Sequence, residues 1–235
     1  MALGVDALVV STNETLDAPG GLSGRILERG GRDLQDDISR GEKLRSGDCM
    51  MTKAYRVPAG KLLHCVGPKY NQKYKSAAEN TLHQCCREVM KQAVDNKCRT
   101  LAFPMEFAEK KGYPRFEAVH VILRTFRRWI EKLWKDIDAV IFVSNDADFV
   151  TLYINHMRMY FPRNLDEEFD TKALLPEDNG NEFGEIVNKE RAIKQTGLNV
   201  APVSPRSSDS DNEGGLDNMF TNADDDFDTN RAEKM

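Results

Sequence analysis

The stretch VDALVVSTNETLDAPGGLSGRI, Val5 to Ile26, decides how the chain is read. It opens on VDALVV, a near-continuous apolar run that suits a strand buried on both faces of a parallel sheet. Pro19, Gly20, Gly21 and Gly24 follow, and short-helix character begins at Ser23. A buried strand, a tight glycine loop and a helix start make the geometry of a phosphate cradle. Glycine lets backbone N–H groups turn toward an anion and lets the anion come close. The same glycines also suit a plain turn, and spacing alone favours the turn. No nucleotide fingerprint decides the matter. AGKLLH (Ala59 to His64) departs from the Walker pattern at Leu62, no G-x-G-x-x-G occurs, and Arg25 stands where a nucleophile elbow at Ser23 would need glycine.

Downstream, strand and helix patterns alternate. CMMTKAY (Cys49 to Tyr55), KLLHCV (Lys61 to Val66), TLAF (Thr100 to Phe103) and AVIFV (Ala139 to Val143) read as strands. Helical character falls on Ser23 to Gly30, Asp33 to Ser39, Ser76 to Asp95, Phe116 to Lys132 and Thr151 to Tyr160. Ser76 with Glu79 three residues on is a capping-box pattern. The alternation argues a three-layer α/β/α domain around a mixed, largely parallel sheet. Ligands of such sheets bind at the carboxyl ends of strands, so the loops after Val10, Val66, Phe103 and Val143 matter most.

The chain has 235 residues and a mean hydropathy of −0.56, low for a protein with a real core. The polarity is concentrated late. Residues 164–235 hold 18 acids against 7 Lys and Arg, while the whole chain holds 38 and 33. That leaves 20 acids and 26 bases before residue 164, a basic part followed by an acidic one. We therefore expect a domain over residues 1–168 and an acidic, mostly disordered tail over 169–235, with a short helix or strand around GEIVNKERAIKQ. No eighteen-residue apolar run predicts a membrane span, and the N-terminus lacks a secretory pattern. Cys49, Cys65, Cys85, Cys86 and Cys98 show no metal-ligand spacing, which reads as reduced, buried thiols in a cytoplasmic or nuclear protein. The run RTFRRW (Arg124 to Trp129) mixes bases and aromatics, but its helical position favours a solvated basic face over nucleic-acid binding.

VDALVVSTNETLDAPGGLSGRI resembles the VDAIVNAAN…GGGVDGAI signature of the macrodomain family, the ADP-ribose-1″-phosphate processing fold. RVPAGKLLHCVGP resembles the family's LPAKYVIHTVGP, and Phe103-Pro104 with Gly112-Tyr113-Pro114 matches its second ligand loop in frame. The resemblance covers residues 1 to about 168. It implies a mixed sheet between helices and a cleft at the strand ends, with a diphosphate held between residues 18–24 and about 105–112. Its ligand is ADP-ribose, free or on a modified protein, and neither metal nor cofactor is implied. The ligand-binding positions it carries over are Asn13 (distal ribose), Gly20, Gly21, Leu22, Ser23, Gly24 and Gly112. From the residue alone, Asn13 also suits a left-handed turn position. His64 matches the His of the second signature and reads as a structural group within a strand.

The departures weigh on function. Val10 replaces the first Asn of N-A-A-N, and Pro19 replaces a loop glycine and removes a donor. Ser23 stands where hydrolytic members carry Asp, and an ordinary hydroxyl is a poor general base. Phe107, Ala108, Glu109, Lys110 and Lys111 replace S-T-G, an apolar residue and an aromatic. Glu109 would strain a glycine backbone and repel a diphosphate, whereas Lys110 and Lys111 would attract one. The family's G-D-I-T strand has no counterpart before Val5, so the sheet is expected without its first strand or strands. The sequence thus favours a binding module for ADP-ribose or a related nucleotide diphosphate, weakened by these changes. The alternatives are a degenerate macrodomain acting as a protein-interaction element and, with less support, an ADP-ribosyl hydrolase. Catalytic residues are not assigned.

Overall fold

Apolar residues in the first strand alternate between two faces, and each face finds its own helices. β1 (Ala7–Thr12) lies between β3 (Lys61–Val66) and β4 (Thr100–Pro104), parallel to both, in the computed structural model, which describes residues 4–17 and 20–187. The sheet order is β2-β3-β1-β4-β5, with β2 (Cys49–Lys53) antiparallel at one edge and β5 (Ala139–Val143) parallel at the other. Ala7 and Val9 point to one layer with Leu63, Cys65, Leu101 and Phe103; Val10 points to the other with Leu62. β1 begins two residues later than the apolar run suggests. Asp6 is diverted, because its carboxylate accepts the N–H groups of Arg99 and Thr100 at 2.8 Å each and ties the entry of β1 to that of β4. The pairing extends to Ser11 and Thr12, which sit opposite Cys65 and Val66.

α1 (Gly21–Arg40) covers one face and is interrupted at Gly31, whose φ of 71° no helical residue adopts; this is the break between the two helical stretches seen in the sequence. Its buried stripe is Ser23, Ile26, Gly30 and Leu34, spaced three and four apart. α2 (Lys75–Asp95) and α3 (Arg115–Leu133) cover the opposite face. α4 (Ala147–Tyr160) packs on α3 and β5 through Phe149, Tyr153 and Tyr160. It starts four residues before the expected Thr151, because the Asp146 side chain caps it by accepting from Asp148 N at 2.8 Å. The described residues therefore form a three-layer α/β/α domain with a five-stranded, mostly parallel sheet.

Several expectations are corrected. The Ser76–Glu79 capping box does not form: α2 begins at Lys75 after Tyr74, with no side-chain cap. Glu79 instead accepts from Arg124 Nη2 at 3.0 Å in a buried pair. Cys49 and Cys65 are not free thiols but form a disulfide, since they are directly opposite in the β2–β3 pair, a juxtaposition that spacing alone conceals. Cys85, Cys86 and Cys98 are free and buried, as expected.

The chain does not lose structure at residue 168. α5 (Leu165–Lys172), capped by Asn164, crosses that position, and the residues after it reach back to α3. Arg124, only 5% exposed, donates from Nε to Gly184 O at 2.9 Å and from Nη1 to Asp178 O at 3.4 Å. The rest of the acidic segment, residues 188–235, lies outside the described residues, and with it most of GEIVNKERAIKQ. Among the described residues no helix is long and apolar enough to cross a membrane. No group of three or more His, Cys, Asp or Glu is arranged to hold a metal there either.

Candidate ligand cleft at the strand ends

The carboxyl ends of β1, β4 and β5 open into a cleft of about 480 Å³. Ser11, Pro104 and Val143 bring the three strands to it. Three of the four loops singled out from the strand-end rule thus converge. The fourth, after Val66, stays out of the lining: Gly67 packs against Phe107 instead.

The first wall is the start of α1. Gly20 is its N-cap, with φ 78°, and Gly21 opens it with φ 56°, so both take backbone conformations that favour glycine. A helix start leaves its first N–H groups without intrahelical acceptors, here at Gly21, Leu22 and Ser23, and the first turn carries no acidic residue. Gly24 differs, because its N–H donates to Gly20 O at 3.0 Å. Gly21 and Leu22 line the cleft, and Arg25 joins them from one turn on, four residues after Gly21. The Ser23 side chain does not: it is 2% exposed, on the buried stripe of α1. Pro19, where the sequence suggests a lost donor, lies outside the described residues.

The second wall is the loop after β4, and it is rebuilt compared with the expectation from the resemblance. Phe107 and Ala108 are buried in the core, with the Phe103 and Phe107 rings 5.0 Å apart. Ser11 Oγ donates to Phe107 O at 2.8 Å and joins this loop to β1. Glu109–Lys111 forms a 3-10 turn, so Glu109 has no left-handed backbone to strain. The left-handed position is Gly112, φ 77°, whose N–H donates to Glu109 O at 2.8 Å. Gly112 closes that turn and does not line the cleft. The Glu109 charge is met by Arg115, which donates to it from Nε at 2.7 Å and also through Nη2. The two lysines part company. Lys110 lines the cleft, with Nζ 3.5 Å from Gly20 O and lying where a Cβ on Gly21 would be. Lys111 turns away to Glu14, 3.7 Å distant.

Asn13 follows β1 but is engaged locally. Its Nδ2 donates to Asp17 Oδ1 at 2.7 Å, and its Oδ1 accepts from Asp17 N at 3.1 Å. The left-handed residue of this turn is Leu16, φ 61°, and not Asn13. Hydrogen bonds from Thr15 and Asn13 hold the Asp17 carboxyl below its usual range. The third wall, Val143 to Asn145, was marked by the strand-end rule without any residue being named. Glu106 and Ser144 were not named as residues, although the strand-end rule marks the loops that carry them, one or two residues beyond the ends of β5 and β4.

The histidines stand apart from this cleft. His64 is buried in β3 against Thr52 Oγ1 at 3.0 Å, and burial lowers its pKa to about 4. His83 bonds Thr125 Oγ1 at 2.9 Å and His120 bonds Tyr160 OH at 2.9 Å; burial lowers both to about 4 as well.

The family model described as Macro domain matches residues 9–122. The chain is 40% identical over 194 residues to the Protein GDAP2 homolog of Nematostella vectensis, covering 82% of this chain and 38% of that protein. It is 34% identical over 214 residues to Ganglioside-induced differentiation-associated protein 2 of Homo sapiens, 91% of this chain and 42% of that protein. The chain thus spans less than half the length of these relatives. Among solved structures it resembles the macro domain of ganglioside induced differentiation associated protein 2, with a TM-score of 0.66 and 33% identity over 68% of this chain and 80% of that one. It also resembles a Trypanosoma brucei macrodomain in complex with ADP-ribose, with a TM-score of 0.60 and 26% identity over 65% of this chain and 63% of that one.

Proposed function

Because the chain belongs to the macrodomain family, we propose that its strand-end cleft binds ADP-ribose or a related nucleoside diphosphate, with the diphosphate against the start of α1. One observation carries the reading: Gly20 and Gly21 open α1 in glycine-favouring conformations at the cleft wall, with Arg25 and Lys110 beside them. The first N–H groups of the helix and the positive end of its dipole favour an anion there, and the two cations add to that field. The Trypanosoma brucei relative was solved with ADP-ribose, which names the ligand to try first. In this reading Gly21, Leu22 and Ser23 act through their backbone, Gly20 and Gly24 shape the turn, and Gly112 sets the second loop. Asn13 reaches a ribose only after leaving Asp17.

A second reading, a protein-interaction element, draws on Lys110, whose ammonium group stands over Gly21. Hydrolysis has the least support, since the Ser23 hydroxyl is buried away from the cleft lining. Isothermal titration with ADP-ribose separates these. Saturable heat, abolished by Gly21→Glu, supports the binding module. Absence of heat at millimolar ligand favours the interaction element.

A further inference from the structure

The cleft is electrically two-ended. At the α1 end lie Arg25 and Lys110; at the β4–β5 end lie Glu106, Ser144 and Asn145. A carboxylate in a cleft meant only for an anion is unfavourable, so its surroundings matter. Glu109, the other acid of the lining, is neutralised by Arg115. Arg115 also stands 3.9 Å from Asp146 and over the Phe149 ring at 4.3 Å, so the cation of this side is engaged. Glu106 has no ion-pair partner among the described residues. What it has is Ser144, whose hydroxyl accepts from Asp146 N at 2.9 Å and donates to Glu106 Oε1, a nearer acceptor than Asp146 O at 3.4 Å. One carboxylate oxygen is thus held in place, and the other remains available as an acceptor.

We infer that Glu106, oriented by Ser144, is a specificity-determining residue that accepts hydrogen bonds from the neutral donors of a nucleoside while the α1 end takes its diphosphate. The inference rests on the reading of the cleft as a nucleoside diphosphate site and adds which part of the ligand the other end selects. A carboxylate takes a ribose hydroxyl or a purine amino group equally well, since both present N–H or O–H, and hydrogen bonds to a charged acceptor are among the stronger ones. It also turns away a second anion, so the cleft selects a ligand that is anionic at one end and a neutral donor at the other.

The test compares wild type with Glu106→Gln by isothermal titration against ADP-ribose and against inorganic pyrophosphate. Removing the charge keeps the shape but weakens the acceptor. The expected result is about a tenfold loss of ADP-ribose affinity, with pyrophosphate bound as well as before or more tightly. Retained pyrophosphate binding also shows that the variant is folded. Ser144→Ala is expected to lower ADP-ribose affinity less than Glu106→Gln, again sparing pyrophosphate. Titrations with ADP, 2′-deoxy-ADP and inosine diphosphate identify the donor, as the analogue whose disadvantage in wild type vanishes in Glu106→Gln marks the contacted group. If Glu106→Gln binds ADP-ribose as tightly as wild type, or gains for both ligands alike, Glu106 is only a repulsive charge and the inference falls alone. If wild type binds neither ligand, the nucleoside diphosphate reading falls with it.

Discussion

Lys110→Gln decides between two roles for one lysine, ligand for a phosphate or plug of the cradle. Lys110 is exposed, and its contact with Gly20 O, at 3.5 Å, is at the limit of a hydrogen bond. Folding stability is therefore expected to change by less than about 0.5 kcal/mol. Binding is another matter. A unit charge about 4 Å from a phosphate oxygen is worth roughly 4 kcal/mol at an effective dielectric of 20 and about 1 kcal/mol in water. The open cleft places Lys110 toward the watery limit. ADP-ribose affinity should then fall about tenfold, or ~1.4 kcal/mol. The dependence of affinity on salt should flatten, because one screened attraction is gone. Isothermal titration of both proteins at low and physiological ionic strength measures each effect, with thermal melts to confirm equal folding. Tighter binding by Lys110→Gln would make the lysine a plug and refute its place beside the diphosphate.

Further outcomes follow from other parts of the molecule. Gly21→Ala forces an L-residue to φ 56° and sets a Cβ 2.2 Å from Lys110 Nζ, so stability should drop by roughly 1–2 kcal/mol in urea unfolding and ADP-ribose binding should weaken. Arg124→Met strands the buried Glu79 carboxylate and releases Gly184 O, and urea unfolding should show a loss of about 3–5 kcal/mol. Adding Glu79→Leu should recover much of it, and no recovery would argue against the pair. Acidification should destabilise the fold, because His64, His83 and His120 are neutral when folded, with pKa lowered from 6.5 to about 4 by burial. The unfolded chain binds more protons below pH 6.5, so stability is full above that pH and falls as pH drops toward 4. A urea midpoint unchanged from pH 7 to 4.5 would contradict this.

How much of this was legible depends on whether periodicity or proximity carries the information. Strands β1, β3, β4 and β5 stand out as short, largely apolar runs, and helices α2 and α3 because their apolar residues repeat every three to four. The break at Gly31 was visible as a gap between two helical stretches. The cleft was legible as a set of loops, since the strand-end rule needs only the direction of the strands. What sits in those loops was not. Glu109 looked damaging to a glycine loop, but the left-handed position falls at Gly112, and Arg115, six residues on, neutralises the Glu109 charge. The Glu79–Arg124 pair, the Cys49–Cys65 disulfide and Glu106–Ser144 each join residues far apart in sequence. Ser23 took the role of a core residue because a helix stripe of three- and four-residue spacing already included it with Ile26 and Leu34.

The central claim is that an anion sits on the first N–H groups of α1. Nitrogen-resolved NMR of the full chain, titrated with ADP-ribose, tests it at the atoms concerned. The account predicts that the amide signals of Gly21, Leu22 and Ser23 shift most, together with those of the Glu109–Lys111 turn, while Gly112 and the turn around Asp17 move less. Saturable binding with those three amides unmoved, and the largest shifts elsewhere, would contradict it.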